Sequence, residues 1–316
     1  MDISFKMGKT DGLFRKASSR FGPTAISTEL HSRLLTAAIA EARRVLATFF
    51  ALPEPAETSE TWAADYLEVY REALDMGLIQ PGGVLDKDHL SIWCLGRYLH
   101  PQTYVESGVF QGSSLHAMIR SSEIPEVYAI DPDLSRLKLE RSELPEKCWI
   151  DQLDFSEFNF LPHKGSSLIY FDDHINAADR IIQSTGKGYA YLLIDDATGM
   201  EGMCQRAYPA VPSLPMILQP GLFSPGDRIS WSFQYSPSRD PVIRLKQSIK
   251  SILHGRAMRL EWVVTEKWIK SCRLAMDCIQ KWIKLPNLGD YIPQRIPGKT
   301  SDQTKFLLQL RHREDT

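Results

Sequence analysis

The chain has 316 residues, 43% hydrophobic and 24% charged, with 19 Gly and 19 Pro, proportions that fit a globular protein and exclude a collagen-like or low-complexity polymer. Lys plus Arg number 37 against 39 Asp plus Glu, a formal net charge of −2. The basic excess of a dedicated nucleic-acid binder is missing, so no nucleic-acid partner is expected.

Residues 1–25 are polar and read as a loose arm. From Ser27 the pattern turns helical: Leu30, Leu34, Leu35, Ala38, Ile39, Ala42, Val45, Leu46 and Phe49 recur at spacings of three and four. Ser27 or Thr28 can cap that helix. After the break ALPEPAETSE a second amphipathic helix is expected near Trp62–Met76, closed by the turn signal Gln80–Gly83. A third follows near Lys87–Leu99.

The rhythm then changes. Short β-rich runs lie at Thr103–Val109, Glu126–Asp131, Cys148–Asp151, Ser167–Asp172 and Tyr189–Asp195, several separated by helix-compatible stretches. Apolar strands that end in carboxylates and alternate with helices predict a parallel sheet with helices packed on it. Arg228–Tyr235 and Lys305–Leu310 are expected to be the last strands, with a long helical segment, Pro241–Leu285, between them. No run is long enough for a membrane-spanning helix, which needs roughly 20 apolar residues. The opening MDISFKMGKTDGLFRK lacks the apolar region of a secretory signal. Five scattered cysteines (Cys94, Cys148, Cys204, Cys272, Cys278) without a CxxC pair fit a reducing cytoplasm, not a disulfide framework or zinc site.

The near-neutral total hides segregated charge. Residues 244–284 hold ten Lys/Arg against three acids, a local net of +7 that leaves −9 for the rest. Trp268, Cys272, Met276, Ile279 and Ile283 form an apolar stripe at helical spacing, with Trp282 beside it. One reading is a solvated basic face over a core or a homo-oligomer contact. The other is peripheral attraction to an anionic membrane surface or acidic partner.

The most informative stretch is TYVESGVFQGSSLHAMI, residues 103–119. A strand runs into Glu106, then Gly108, Gly112 and Ser113, then a helix whose first N–H groups are free. The spacing is not the G-x-G-x-x-G of a dinucleotide fingerprint. A carboxylate at the strand end would repel a pyrophosphate and suit a cationic ligand that carries an ammonium group. A tight turn with no ligand is the plainer alternative.

This stretch resembles the first motif of class I S-adenosylmethionine-dependent methyltransferases, over roughly Asp86–Gly199. The resemblance implies a Rossmann-like α/β fold: a mostly parallel seven-stranded sheet with helices on both faces, N-terminal helices and a C-terminal helical insertion. It implies an arm and helical cap over 1–83, the α/β core over 84–240, a basic amphipathic helical insertion over 241–290, and a final strand and tail over 291–316. In that family Gly108, Gly112 and Ser113 would shape the loop around the donor, with Glu106 near its amino group. Asp131 would accept the ribose hydroxyls. Asp151 would take the adenine amino group, with Gln152 or Asp154 as alternatives.

Two further strands end in carboxylate pairs, Asp172–Asp173 followed by His174, and Asp195–Asp196. Adjacent strands lie about 4.8 Å apart, so the pairs can face one another and suit a hard cation such as Mg2+. Alternatively these aspartates cap the helices that follow. The pattern is similar to metal-dependent O-methyltransferases of sugars, macrolides and catechols, which implies Asp172 or Asp173, Asp195 and Asp196 as ligands. His174 is the candidate general base, because imidazole titrates near neutral pH; its alternative role is a helix-start histidine bonded to Asp173. His116 is read as packing or a donor-side contact. Residues 197–223, with Met200, Met203, Tyr208 and Met216, either line an acceptor pocket or pack as ordinary core and loop.

The expected function is therefore methyl transfer from S-adenosylmethionine to a hydroxyl of a small molecule or glycan, assisted by a divalent metal. The alternatives are a metal-independent N- or C-methyltransferase and an inactive binding protein on the same fold.

Overall fold

The computed structural model describes residues 28–79, 86–162, 166–195, 210–234, 257–288 and 305–311. They fall into two compact units. The first holds the described residues up to His174, residues 180–195, and those from Cys278 onward. The second holds Ile175–Asp179 and the described residues 210–277.

Three helices open the first unit: α1 (Thr28–Phe50), α2 (Ser59–Asp75) and α3 (Asp86–Leu99). In α1 Leu35, Ala38, Ile39, Ala42, Leu46 and Phe49 are at most 4% exposed, because residues three and four apart share one side of a helix. Leu30, at the start of the same pattern, is exposed. The helix opens at Thr28, and Ser27 lies outside the described residues. Thr58 caps α2, its hydroxyl accepting the Thr61 N–H at 3.2 Å. Trp62 of α2 meets Trp93 of α3 edge-on at 5.7 Å, and both are fully buried.

The remaining helices are α4 (Ser113–Ile119), α5 (Ala177–Lys187), α6 (Leu214–Ile217) and α7 (Glu266–Cys278). The strands are β1 (Thr103–Ser107), β2 (Glu126–Ile130), β3 (Cys148–Asp151), β4 (Ser167–Phe171), β5 (Tyr191–Ile194), β6 (Arg228–Gln234), β7 (Ala257–Val263), β8 (Ile279–Lys284) and β9 (Phe306–Leu310). Seven form one sheet in the order β3-β2-β1-β4-β5-β9-β8. Strands β1 to β5 are parallel, β9 is antiparallel to β5, and β8 is antiparallel to β9. Central β1 and β4 are buried at every residue, as parallel strands covered on both faces must be. Ser107 pairs in register with Ile130 and with Phe171. Gly108, Asp131 and Asp172 therefore leave the sheet along one carboxyl edge, where open α/β sheets bind ligands.

Two expectations are corrected. The helical reading of 241–285 holds only for α7 among the described residues; β7 precedes it and β8 follows it directly. Ile279 and Ile283 are four apart, a spacing that fits one helix face and, being even, also fits one strand face. The strand starting at Arg228 exists, yet it pairs with β7 in a separate two-stranded ribbon of the second unit. The place expected for it in the main sheet belongs to β8.

Among the described residues no helix is long and apolar enough to cross a membrane.

Candidate active site

The loop between β1 and α4 is built by close backbone approach. Gly108 has φ +92°, and a Cβ there would lie 2.5 Å from the Asp172 carbonyl oxygen and 2.6 Å from its carbon. Its N–H donates to the Ile130 carbonyl at 2.9 Å, while the Asp172 N–H donates to the Ser107 carbonyl at 2.9 Å. No side chain fits between these strands, so glycine is required on steric and conformational grounds. Gly112 has φ +87° and caps α4, with Leu137 and Leu139 where a Cβ would stand.

Asp131 ties the loop to β2. Its carboxylate accepts the Phe110 N–H at 3.1 Å and the Asp133 N–H at 2.8 Å. Phe110 holds φ +48° to present that N–H, a conformation costly for a non-glycine residue. Each oxygen retains a lone-pair site after these bonds, and the side chain is only half-buried. Ser113, the first residue of α4, is 4% exposed, and its hydroxyl has no hydrogen-bond partner among the described residues. A buried hydroxyl without a partner costs about 1–3 kcal/mol. Glycines that admit backbone, an orphaned hydroxyl and an acceptor carboxylate on the next strand fit the donor expected here.

Glu106 lies at the end of β1, where the strand meets the loop. It is fully buried, and its oxygens accept the Tyr104 hydroxyl and the Ser114 hydroxyl, each at 2.6 Å. Burial raises its pKa to about 7 against the lowering effect of those bonds. Within the described structure Glu106 braces the start of α4. Asp151, at the exposed end of β3, accepts the Asp131 N–H through its backbone carbonyl at 3.3 Å. Gln152 donates to the Pro132 carbonyl at 2.8 Å. Asp154 is held by Arg180 at 2.7 Å.

The carboxylates past β4 and β5 are mostly committed to cations of the chain itself. Asp173 accepts the Ser107 hydroxyl at 2.7 Å and pairs with Arg180 at 2.7 Å. Burial opposes the charge of Arg180, yet Asp173 and Asp154 raise its pKa above the ordinary value. Asp195 accepts the Lys305 ammonium at 2.6 Å, and Asp88 lies 3.4 Å from the same nitrogen. Burial likewise opposes the Lys305 charge, and Asp195, Asp88 and Asp172 more than offset it, raising the pKa. Asp196 lies outside the described residues. Among those described, no three His, Cys, Asp or Glu side chains are placed to hold a metal ion. A divalent ion at this position would have to displace Lys305 from Asp195, so the residues present do not fit it. Asp173 and Asp195, expected as metal ligands, thus face Arg180 and Lys305 within the described structure.

His174 follows directly, with φ +54° and Nε2 3.8 Å from Asp172 Oδ1. It is 9% exposed, and Asp172 is half-buried. His116 is packed inside the first unit. Its Nδ1 lies 3.4 Å from His89 Nε2 and its Nε2 3.5 Å from Glu72; burial lowers its pKa. Of the residues expected to receive the acceptor, Met216 lies in α6 of the second unit, while Met200, Met203 and Tyr208 lie outside the described residues.

Sequence reasoning missed Lys305, Asp88 and Arg180. The signal for Lys305 was a lone lysine directly before the mostly apolar run Phe306–Leu310.

Five parallel strands with β9 inserted antiparallel between β5 and β8, joined to this β1–glycine loop–α4 turn, define the class I methyltransferase fold. Solved structures similar to parts of the chain include a form of CmcI with Mg and SAM, at 23% identity and TM-score 0.30, covering 41% of this chain and 61% of that one. The SAH-bound methyltransferase PaMTH1 of Podospora anserina is 11% identical with TM-score 0.42, covering 82% and 98%. The N-methyltransferase NodS of Bradyrhizobium japonicum WM9 is 11% identical with TM-score 0.29, covering 71% and 93%. The chain thus spans about three fifths of the CmcI length. No protein-family model matches the sequence, and no curated protein matches it.

Proposed function

We propose that the protein is an S-adenosylmethionine-dependent methyltransferase acting on a hydroxyl of a small molecule or glycan. The observation that carries the reading is the β1–α4 turn: two positive-φ glycines, an orphaned Ser113 hydroxyl and the Asp131 carboxylate bonded to the loop N–H of Phe110. When bound, S-adenosylmethionine supplies a methyl group on a sulfonium, which an acceptor oxygen takes by in-line displacement.

The chain's own residues do the rest. Gly108 and Gly112 let backbone approach the donor, Ser113 offers it a hydroxyl, and Asp131 accepts its ribose hydroxyls. Asp151 and Gln152, past β3, receive the adenine end. His174 takes the acceptor proton at Nε2, and the nearby Asp172 carboxylate steadies the imidazolium that forms. A divalent ion has no part in this mechanism, because Asp195 and Asp173 are held by Lys305 and Arg180. The described cysteines Cys94, Cys148, Cys272 and Cys278 are free thiols, which supports a cytoplasmic setting.

Incubation with methyl-labelled S-adenosylmethionine and a panel of hydroxylated and aminated small molecules tests the reading. Label recovered on oxygen supports it. Label recovered on nitrogen moves the assignment to the N-directed alternative, and saturable donor binding with no transfer to any acceptor leaves the inactive binding protein.

A further inference from the structure

Past the end of β5, carboxylates from two elements meet one ammonium. Asp195 at the end of β5 lies 2.6 Å from Lys305 Nζ, and Asp88 in the first turn of α3 lies 3.4 Å away. Asp172 at the end of β4 adds its field to the same group. The ammonium stands 5.7 Å from the centroid of Tyr170 in β4, which is fully buried. Lys305, Asp88 and Asp195 are each no more than 4% exposed.

A lysine is among the least often buried residues, and an uncompensated ammonium in such surroundings costs several kcal/mol. It persists here because the carboxylates that surround it would be as unfavourable without it. The sequence pattern of paired aspartates at these strand ends reads as a nest for a hard cation. The fold supplies that cation from the chain, at the residue directly before β9, which enters the sheet antiparallel between β5 and β8.

We infer that Lys305 is the resident cation of this site: its ammonium fills the space between Asp195 and Asp88, so the protein takes no divalent ion there and holds Asp195 in place without one. The inference deepens the proposed methyl transfer, on which its catalytic meaning rests, by making that reaction independent of added metal. Lys305 is a positioning residue, acting on the end of β5 through Asp195. Its four-carbon stem and ammonium leave room and negative charge behind when removed, which is what a hydrated divalent ion needs.

The test is Mn2+ binding followed by the loss of the free-ion electron paramagnetic resonance signal. The native chain should show no saturable site at millimolar Mn2+. Lys305→Ala should gain one site per chain, at least a hundredfold tighter than any residual native binding, and Mn2+ should raise its melting temperature without raising that of the native chain. A double variant, Lys305→Met with Asp195→Asn, keeps the buried volume and removes charge from both partners; it should fold and bind no Mn2+. One saturable Mn2+ site in the native chain that Asp195→Asn abolishes would overturn the inference, whether or not the variants fold. So would a folded Lys305→Ala that gains no site. S-adenosylhomocysteine binding, measured with and without EDTA, separates the two readings: loss of binding in both conditions removes the methyltransferase proposal and leaves the cation assignment standing, whereas binding abolished by EDTA alone overturns the assignment.

Discussion

Glycine does two different things in this chain, and substitution separates them. At Gly108 a methyl group meets the backbone of Asp172 and the φ is positive; the dihedral alone costs about 1–3 kcal/mol, and the clash adds to it. At Gly186, inside α5, nothing lies within 4 Å of the added carbon, and alanine gains roughly 0.5–1 kcal/mol through helix propensity. Urea unfolding should therefore show Gly108→Ala less stable than native and Gly186→Ala equal or more stable. Asp131 stands out in the sequence through the resemblance, which puts an acid at the end of the second strand; the structure ties it to the Phe110 N–H. The role of Glu106 was not legible, because its partners Tyr104 and Ser114 depend on side-chain direction in the folded sheet. Its folded pKa of about 7 stands above the ordinary 4.5, so the folded state holds the proton that the unfolded state loses. The sign follows: stability linked to Glu106 is fully present below pH 4.5 and is lost as pH rises toward about 7, by about 3 kcal/mol in all. Glu106→Gln should flatten that fall in the difference between the native and variant stability curves across pH 4–8; parallel curves would contradict the buried placement.

Elements were legible where one periodicity excluded the other. The stripe in α1 continues for about five turns at spacings that no strand can match, and burial follows it from Leu35 to Phe49. Leu46→Ala should cost about 2–5 kcal/mol in urea unfolding, since it opens a cavity in the core. Leu30→Ala, on the exposed start of the same stripe, should change stability by less than about 0.5 kcal/mol. Near the C-terminus the pattern was ambiguous. Trp268 and Cys272 are buried in α7, Met276 is exposed, and Ile279 begins a strand. Nothing in the spacing marks the change at Cys278, because an edge strand needs only alternate residues covered and β8 has its face chosen by β9. Strand pairing across such sequence separations is a tertiary fact.

At the scale of the whole chain, the net charge of −2 is a cancellation between a +7 segment and the rest. The described residues of that segment divide between the two units, and Lys281 reaches the Phe49 carbonyl, its ammonium 4.8 Å from that ring's centroid. Buried charge is likewise distributed by fold. Lys305 is 110 residues from Asp195 and farther still from Asp88, and only the insertion of β9 beside β5 brings them together. The aspartates were visible in sequence; that Lys305 stands beside Asp195 was decided by topology. The central claim, that the β1–α4 turn holds S-adenosylmethionine, is tested most directly by calorimetric titration with S-adenosylhomocysteine. One saturable site per native chain is expected, weakened at least tenfold in a folded Asp131→Ala, about 1.4 kcal/mol or more. No binding at millimolar ligand, or equal affinity in the two proteins, would contradict it.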